Sequence, residues 1–434
     1  MWQAAEIMPD PIKKILLLMG AETYRATDFL TAARKLGVDV VVGLDRPDPT
    51  EGLHRGGVVA LDFGAPEVGA DEIVRLAAGS PLSAVVPVDD SATVLAARAS
   101  AALGLPGNPA ESVVASRNKL IFREIIQAAG LPTPWFRAYP VVRDPRTVAR
   151  EVPYPCVLKP LFLNASRGVI RADDAEGFVA AFKRIRRLLA QPELQQAGGT
   201  LAEQILVESF LPGQEVALEG MIQEGAFRLL AFFDKPDPLD GPFFEETLFV
   251  TPSRHAPEVQ RRAIAMAAAG ARALGLRTGA VHAELRLGAA GDEPWLVEIA
   301  ARSIGGHCSR ALRFGSGLSL EEVILRQALG EGGAGPERER AASGVMMIPV
   351  PASGRLAAVQ GLEAARAVPG VGDVEISIPL TQPVMRWPEG HRYLGFLFAR
   401  AERPEQVEAA LREAHALLRF EITPEGDAAG EAGS

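Results

Sequence analysis

Between Lys13 and Gly104 the sequence repeatedly switches its hydrophobic period, and that switching constrains the fold more than any other feature. KKILLLMG (Lys13–Gly20) is a short, continuous apolar run closed by glycine, as expected of a strand buried on both faces. ATDFLTAARKLG (Ala26–Gly37) has the spacing of an amphipathic helix with Gly37 as its C-cap, and VDVVVGL (Val38–Leu44) returns to a strand. SAVVPVDD (Ser83–Asp90) is a further strand that runs into the helical stretch SATVLAARASAALG. Parallel strands need crossover helices between them, so this alternation predicts a doubly wound parallel α/β sheet. Such sheets bind ligands at the carboxyl ends of their strands, where Ala21 to Arg25 and Asp89-Asp90 would fall. Plain loop and helix-capping duty is an equal reading of those residues.

Beyond Gly104 the texture changes. A helix pair spans NPAESVVASRNKLIFREIIQAAG (Asn108–Gly130) and stops at Gly130-Leu-Pro-Thr-Pro. From YPCVLKP onward, short strands with turns (PCVLKP, GVIRA, ILVESFL, EVALEGMI, FRLLAFFD) outnumber helices, which predicts antiparallel α+β structure. The helix LSLEEVILRQALG closes this region. Gly330 to Ala342 reads as a linker by its Gly, Pro and charge content. Its G-x-G-x-x-G string at Gly330, Gly332 and Gly335 is a decoy, because it follows a helix and opens none. SGVMMIPVP, DVEISIPL and YLGFLFARA then read as strands and PEQVEAALREAHALL as a helix. The expected division is a Rossmann-like domain at 1–110, a second domain at 111–330 with a small lid at about 130–207, a linker at 331–343, a C-terminal α+β module at 344–424 and a disordered tail from Glu425.

A chain of 434 residues exceeds one ordinary core, in keeping with several subdomains. Hydrophobic residues at 48% and charged residues at 23% are globular values, and a net charge of -9 with pI near 5.4 argues against nucleic-acid or anionic-membrane binding. Two cysteines, Cys156 and Cys308, exclude a disulfide scaffold or a cysteine zinc site. The early run Ile15–Met19 is too short for a signal peptide's apolar region, and no run reaches the roughly 18 apolar residues of a membrane helix. A soluble cytoplasmic enzyme is the expectation.

Two charges stand inside apolar strands, Lys159 in PCVLKP and Glu298 in WLVEIA. A lone charge in a buried strand costs several kcal/mol unless paired or ligated. A structural salt bridge answers for either alone. Their surroundings suggest more. Lys159 precedes the small-residue loop Asn164-Ala-Ser166-Arg167-Gly168, whose backbone N–H groups could cradle phosphate oxygens; an exposed hairpin turn is the bland alternative. In VHAELRL, alternation puts His282, Glu284 and Arg286 on one face. Glu298 falls in the next strand, after the turn GAAGDEP, so two carboxylates can meet across strands around a shared divalent cation. Arg302 follows, suited to a transferring phosphate or an oxyanion, unless it merely joins a surface network. There is no G-x-x-x-x-G-K-[ST] loop and no G-x-S-x-G elbow, and His54, His255, His282, His307, His391 and His415 show no zinc spacing.

Taken in order, these parts resemble the ATP-grasp superfamily across nearly the whole chain: Asn118-Lys119, Val157-Leu-Lys159-Pro, the Asn164–Gly168 loop, Leu206-Val-Glu208-Ser-Phe-Leu-Pro-Gly213-Gln-Glu215, His282-Ala-Glu284 and Val297-Glu298-Ile-Ala-Ala-Arg302. The E-x-A-A-R form and the C-terminal module are similar to those of the carboxylate–amine ligase branch that holds the bacterial L-amino acid ligases. The resemblance implies an ATP-grasp fold with a lid subdomain and an antiparallel lobe, and it implies roles. Lys119 and Lys159 would contact ATP phosphates, with Asn164, Ser166, Arg167 and Gly168 closing over them. Glu208, Ser209, Phe210 and Leu211 would face adenine, largely through backbone groups, and Glu215 would accept the ribose hydroxyls. Lys235 would reach phosphate or a substrate carboxylate. Glu284 and Glu298 would hold Mg²⁺, two ions in all, and Arg302 would stabilise the transition state. Many members carry Asn as a third ligand where Ala300 stands here.

The implied activity is ATP-dependent joining of an amino acid carboxylate to an amine through an acyl phosphate, with small-molecule partners and a homodimeric assembly. Two alternatives remain: a carboxylase or purine-pathway type of ligase, and a nucleotide-binding regulator without catalysis.

Overall fold

The computed structural model of the chain describes residues 13–45, 57–288, 294–331 and 335–424. They form two compact units, one from the described residues of 1–110 and 318–336 and one from those of 111–317 and 337–434.

In the first unit, strands β1 (Lys14–Met19), β2 (Asp39–Leu44), β3 (Val58–Ala60) and β4 (Ala84–Pro87) make a parallel sheet in the order β3-β2-β1-β4. β1, an inner strand between β2 and β4, is buried almost throughout, in keeping with its unbroken apolar run. Leu16, Leu18, Val41, Ile73, Leu95 and Ala99 form the core beneath it. The strand ends carry the polar residues anticipated there: Asp89 accepts hydrogen bonds from the Gly20 N–H (3.1 Å) and the Thr23 hydroxyl (2.9 Å), bracing the β1 turn against β4. Helix Leu320–Ala328, assigned by sequence to the second region, belongs to this unit instead. A capping box of Ser319 and Glu322 starts it, and Glu322 meets Lys35 at 3.3 Å. Its apolar face carried no sign of which sheet it would cover.

The second unit holds a four-stranded antiparallel sheet of β5 (Phe136–Pro140), β6 (Cys156–Pro160), β7 (Ile170–Ala172) and β8 (Gln204–Ser209), ordered β5-β8-β6-β7. Helix Ala175–Leu189 covers it, burying Phe178, Phe182 and Ile185 against Cys156 and Val207. Next come β9 (Gln214–Gln223), β10 (Ala226–Asp234), β11 (Leu248–Thr251), β12 (Gly279–Leu287) and β13 (Trp295–Ala300). They are followed by β14 (Ala342–Ile348), β15 (Gly354–Gln360), β16 (Val371–Ile376), β17 (Pro383–Val384), β18 (Gly395–Ala401) and β19 (Arg419–Thr423).

Eight of these strands form one sheet, β13-β12-β9-β10-β11-β14-β18-β16, and β17-β15-β19 form a small second one. The C-terminal α+β module thus has a small sheet of its own and also lends β14, β18 and β16 to the large one. β14 pairs with β11 from Leu248↔Met346 to Thr251↔Ser343, and Leu248 and Val250 share a core with Met346, Leu397, Val407 and Leu411. The supposed linker is also partly built in, with Glu339 N–H donating to the Arg313 carbonyl (2.8 Å). Gly332 of the decoy motif and the tail from Glu425 lie outside the described residues. Among the described residues no helix is long and apolar enough to cross a membrane.

Candidate active site

Two groups of buried charges occupy the second unit. The first gathers on β6, β8 and helix Lys119–Ala128. Lys159 Nζ lies 2.6 Å from Glu208 Oε2, both nearly inaccessible to solvent. Arg123, 1% exposed, donates to both oxygens of the same carboxylate at 2.7 and 3.1 Å, and also to the Leu296 carbonyl at 2.6 Å. Burial alone would raise the Glu208 pKa, but Arg123 and Lys159 outweigh it and hold it at about 2. For Lys159 burial, helped by the like charges of Arg123 and Lys119, outweighs Glu208 and lowers its pKa to about 8. Sequence reading missed Arg123. Its signal was a guanidinium beside Phe122 and Ile126 on the buried side of an amphipathic helix.

The hinge segment runs on from β8. Its Ser209 N–H donates to the Trp135 carbonyl (2.8 Å) and its Phe210 N–H to the Pro155 carbonyl (3.0 Å), so both of these backbone donors are committed within the fold. Gly213 ends the segment at φ +110, where a Cβ would stand 1.9 Å from the Leu287 carbonyl oxygen; no other residue fits.

The second group lies on the face shared by β9, β10 and β12. Alternation places Glu215, Ala217 and Glu219 on one side of β9, and the register sets Arg286 against Glu215, Glu284 against Ala217 and His282 against Glu219. The small Ala217 leaves space beside Glu284, and Lys235, just past the end of β10, reaches into this face. Its ammonium contacts Glu215 (2.7 Å), Glu284 (3.2 Å) and Glu246. Arg286 Nε holds the other Glu215 oxygen (3.1 Å), and His282 Nε2 lies 3.3 Å from Glu284. Glu219 accepts the Ile304 N–H (2.9 Å), fixing the start of the glycine-rich segment after Arg302.

Burial opposes the charge on Lys235, but three carboxylates override it and hold its pKa well above the ordinary value. Burial and the neighbouring Glu284 and Glu215 push Glu246 up to about 7 despite Lys235. Burial would also raise Glu284, yet Lys235 and His282 keep it well below the usual range. Of this group, Glu219 and the pairing of Arg286 with Glu215 were not foreseen.

The expected carboxylate pair is adjacent. Glu284 and Glu298 stand directly opposite on β12 and β13, as the turn length implied. Lys119 Nζ lies 3.4 Å from Glu298 and donates to the Leu163 carbonyl at 2.6 Å, so it links the second glutamate to the loop after Lys159. Asn118 aims it by capping the helix, accepting the Leu120 N–H (3.0 Å) and Ile121 N–H (3.3 Å). In the loop, Ala165 and Ser166 both adopt left-handed backbone (φ 50 and 54). Asn164 accepts the Arg167 N–H (3.1 Å), while Gly168, at φ +74, is wedged between Pro160 and Leu188. Arg302 Nη1 donates to the Ser303 carbonyl (2.9 Å), and Ala300 is buried opposite His282.

The donor set suits a hard divalent cation. Oxygens of Glu215, Glu246 and Glu284 lie within 4.8 Å of one another, and Glu298 adds a fourth carboxylate beside Glu284. An ammonium and a divalent cation cannot share the same oxygens, so a metal among the first three would require Lys235 to turn elsewhere, as toward phosphate.

Comparison with known proteins matches three successive models: an ATP-grasp N-terminal domain over residues 30–107, an ATP-grasp domain over 152–311 and an L-amino acid ligase C-terminal domain over 346–423. The chain is an ATP-grasp protein with an L-amino acid ligase C-terminal domain. A crystal structure of the L-amino acid ligase from Bacillus licheniformis superposes on this ATP-grasp protein with a TM-score of 0.80 and 26% identity, covering 95% of this chain and 99% of that one. Alanine–anticapsin ligase of Bacillus subtilis is 26% identical over 267 residues, 59% of this chain and 56% of that protein. An uncharacterised protein of Sinorhizobium fredii, y4rH, is 24% identical over 96% of this chain and 85% of its own. The fold is the ATP-grasp fold, and the protein belongs with the ATP-grasp ligases, whose family binds ATP with Mg²⁺.

Proposed function

We propose that this ATP-grasp protein joins the carboxylate of an amino acid to an amine, forming an amide or peptide bond with release of ADP and phosphate. The observation that carries this reading is the Glu284–Glu298 pair. Two facing carboxylates, each held by a different lysine, form a site in which cation and phosphate can exchange partners. The C-terminal domain match favours the amino acid ligases over carboxylases and purine-pathway enzymes.

Lys119, Lys159 and Lys235 hold phosphate oxygens, and the Asn164–Gly168 loop offers its N–H groups over them. The hinge Glu208–Leu211 faces adenine through backbone groups, and Glu215 takes the ribose hydroxyls. Glu284 and Glu298 would hold Mg²⁺, which when bound would supply charge neutralisation to the phosphates. A substrate carboxylate oxygen attacks the γ-phosphorus and ADP leaves. The amine nitrogen then attacks the acyl carbon, Arg302 steadies the oxyanion, and phosphate departs as the nitrogen loses a proton. Because the acyl phosphate hydrolyses readily, the loop must exclude water while it persists.

The test uses an amino acid whose carboxylate carries heavy oxygen. Transfer of the label into inorganic phosphate supports the acyl phosphate; label in AMP, or none in either, contradicts it.

A further inference from the structure

Three consecutive residues between β17 and β18 grip the nucleotide loop. Trp387 is buried in the C-terminal core, its ring 4.9 Å from that of Tyr393, and its indole N–H donates to the Ala165 carbonyl (3.2 Å). The Gly168 N–H donates to the Pro388 carbonyl (2.9 Å), and Arg167 Nε donates to the Glu389 carbonyl (3.0 Å). The Glu389 carboxylate accepts both Nε and Nη2 of Arg184 (2.5 and 2.8 Å), which lies on the helix covering the β5–β8 sheet.

Successive left-handed residues such as Ala165 and Ser166 cost of order 1 kcal/mol each, so a free loop would not keep this shape. Here its carbonyl at Ala165 and its N–H at Gly168 are both fixed from outside. Lys119 fixes its near end at Leu163 and reaches Glu298. The grip therefore runs from the C-terminal core, through the loop, to the facing carboxylates.

We propose that Trp387-Pro388-Glu389 is a positioning element for the nucleotide loop, presetting the backbone of Asn164–Gly168 for phosphate and keeping the loop shut over the acyl phosphate. This rests on the ligase reading for its second half only. It gives the C-terminal region a part in the reaction beyond lengthening the sheet.

The test compares the full-length protein with Trp387→Phe, which keeps an aromatic ring there but loses the indole N–H, and with Glu389→Gln, which weakens the arginine pair. Without nucleotide, hydrogen exchange at 165–169 should quicken roughly tenfold in each variant, the equivalent of one lost hydrogen bond, while β9 exchange stays put and Tm falls by no more than a few degrees. Mg-ATP binding should weaken by a similar factor, and ADP released per amide formed should rise above the wild-type ratio. Unchanged loop exchange in both variants overturns the proposal. So does faster exchange with wild-type Mg-ATP affinity and an unchanged ADP-to-amide ratio. A wild-type protein that makes no amide sinks the ligase reading alone, because exchange and Mg-ATP affinity still decide whether the grip positions the loop.

Discussion

Lys159 and Arg123 compete for one buried carboxylate, Glu208, and the arginine has the better geometry: two hydrogen bonds against the single 2.6 Å contact of Lys159. Lys159 is therefore a cation in an apolar strand with only part of a counter-ion, and burial lowers its pKa to about 8. Below that pH it is charged and able to meet a phosphate.

ATP affinity should accordingly fall as the pH rises through 8, by up to roughly tenfold if the charge makes one charge-assisted contact. The sign is opposite for stability. Folding lowers this lysine's pKa from 10.5, so the charged form is penalised in the native state at low pH and the penalty is relieved between about 8 and 10.5. Lys159→Arg, which stays charged, should flatten the alkaline limb of a KM-for-ATP profile. An unchanged limb would mean that another group titrates there.

Glu208 works in the reverse sense. Its pKa falls from 4.5 to about 2 on folding, so its contribution is full above 4.5 and is lost as the pH drops from 4.5 toward 2. That shift corresponds to roughly 3 kcal/mol. Glu208→Gln leaves Arg123 and Lys159 as buried like charges and should cost about 3–5 kcal/mol at neutral pH. Urea denaturation of wild type and variant at neutral and acid pH reads both numbers; the gap between them should close in acid.

Lys235 holds three carboxylates together, and Lys235→Met should leave them repelling one another. The expected result is a variant destabilised by several kcal/mol in chelator, with Mg²⁺ restoring more stability to it than to wild type. Thermal melts with and without Mg²⁺ check this. Equal Mg²⁺ shifts in the two proteins would place the cation away from Lys235.

Much of this was legible in the sequence, and the rest failed for identifiable reasons. The strand identities of β6, β9, β10 and β12 followed from period, and the facing of Glu284 and Glu298 followed from turn length. The union of β11 with β14 did not, because nothing in a strand's own residues names its partner. For the same reason helix Leu320–Ala328 was assigned to the wrong unit. Arg123, Glu219 and the Trp387–Glu389 grip escaped because each acts on residues distant in sequence. A buried charge advertises that it has a partner without saying which.

Glu298→Ala and Arg302→Ala should each abolish turnover, a loss of at least roughly a thousandfold, with Tm within a few degrees of wild type. Product formation by either variant near the wild-type rate would contradict their assigned roles.

The most direct measurement is ADP release from Mg-ATP across single and paired amino acids, with products identified by mass. The expected result is release that depends on a particular pair and yields their condensed mass less one water. Silence across the panel despite measurable ATP binding, or ADP release with no condensed product, would contradict the ligase and leave a different carboxylate chemistry or a nucleotide-binding regulator.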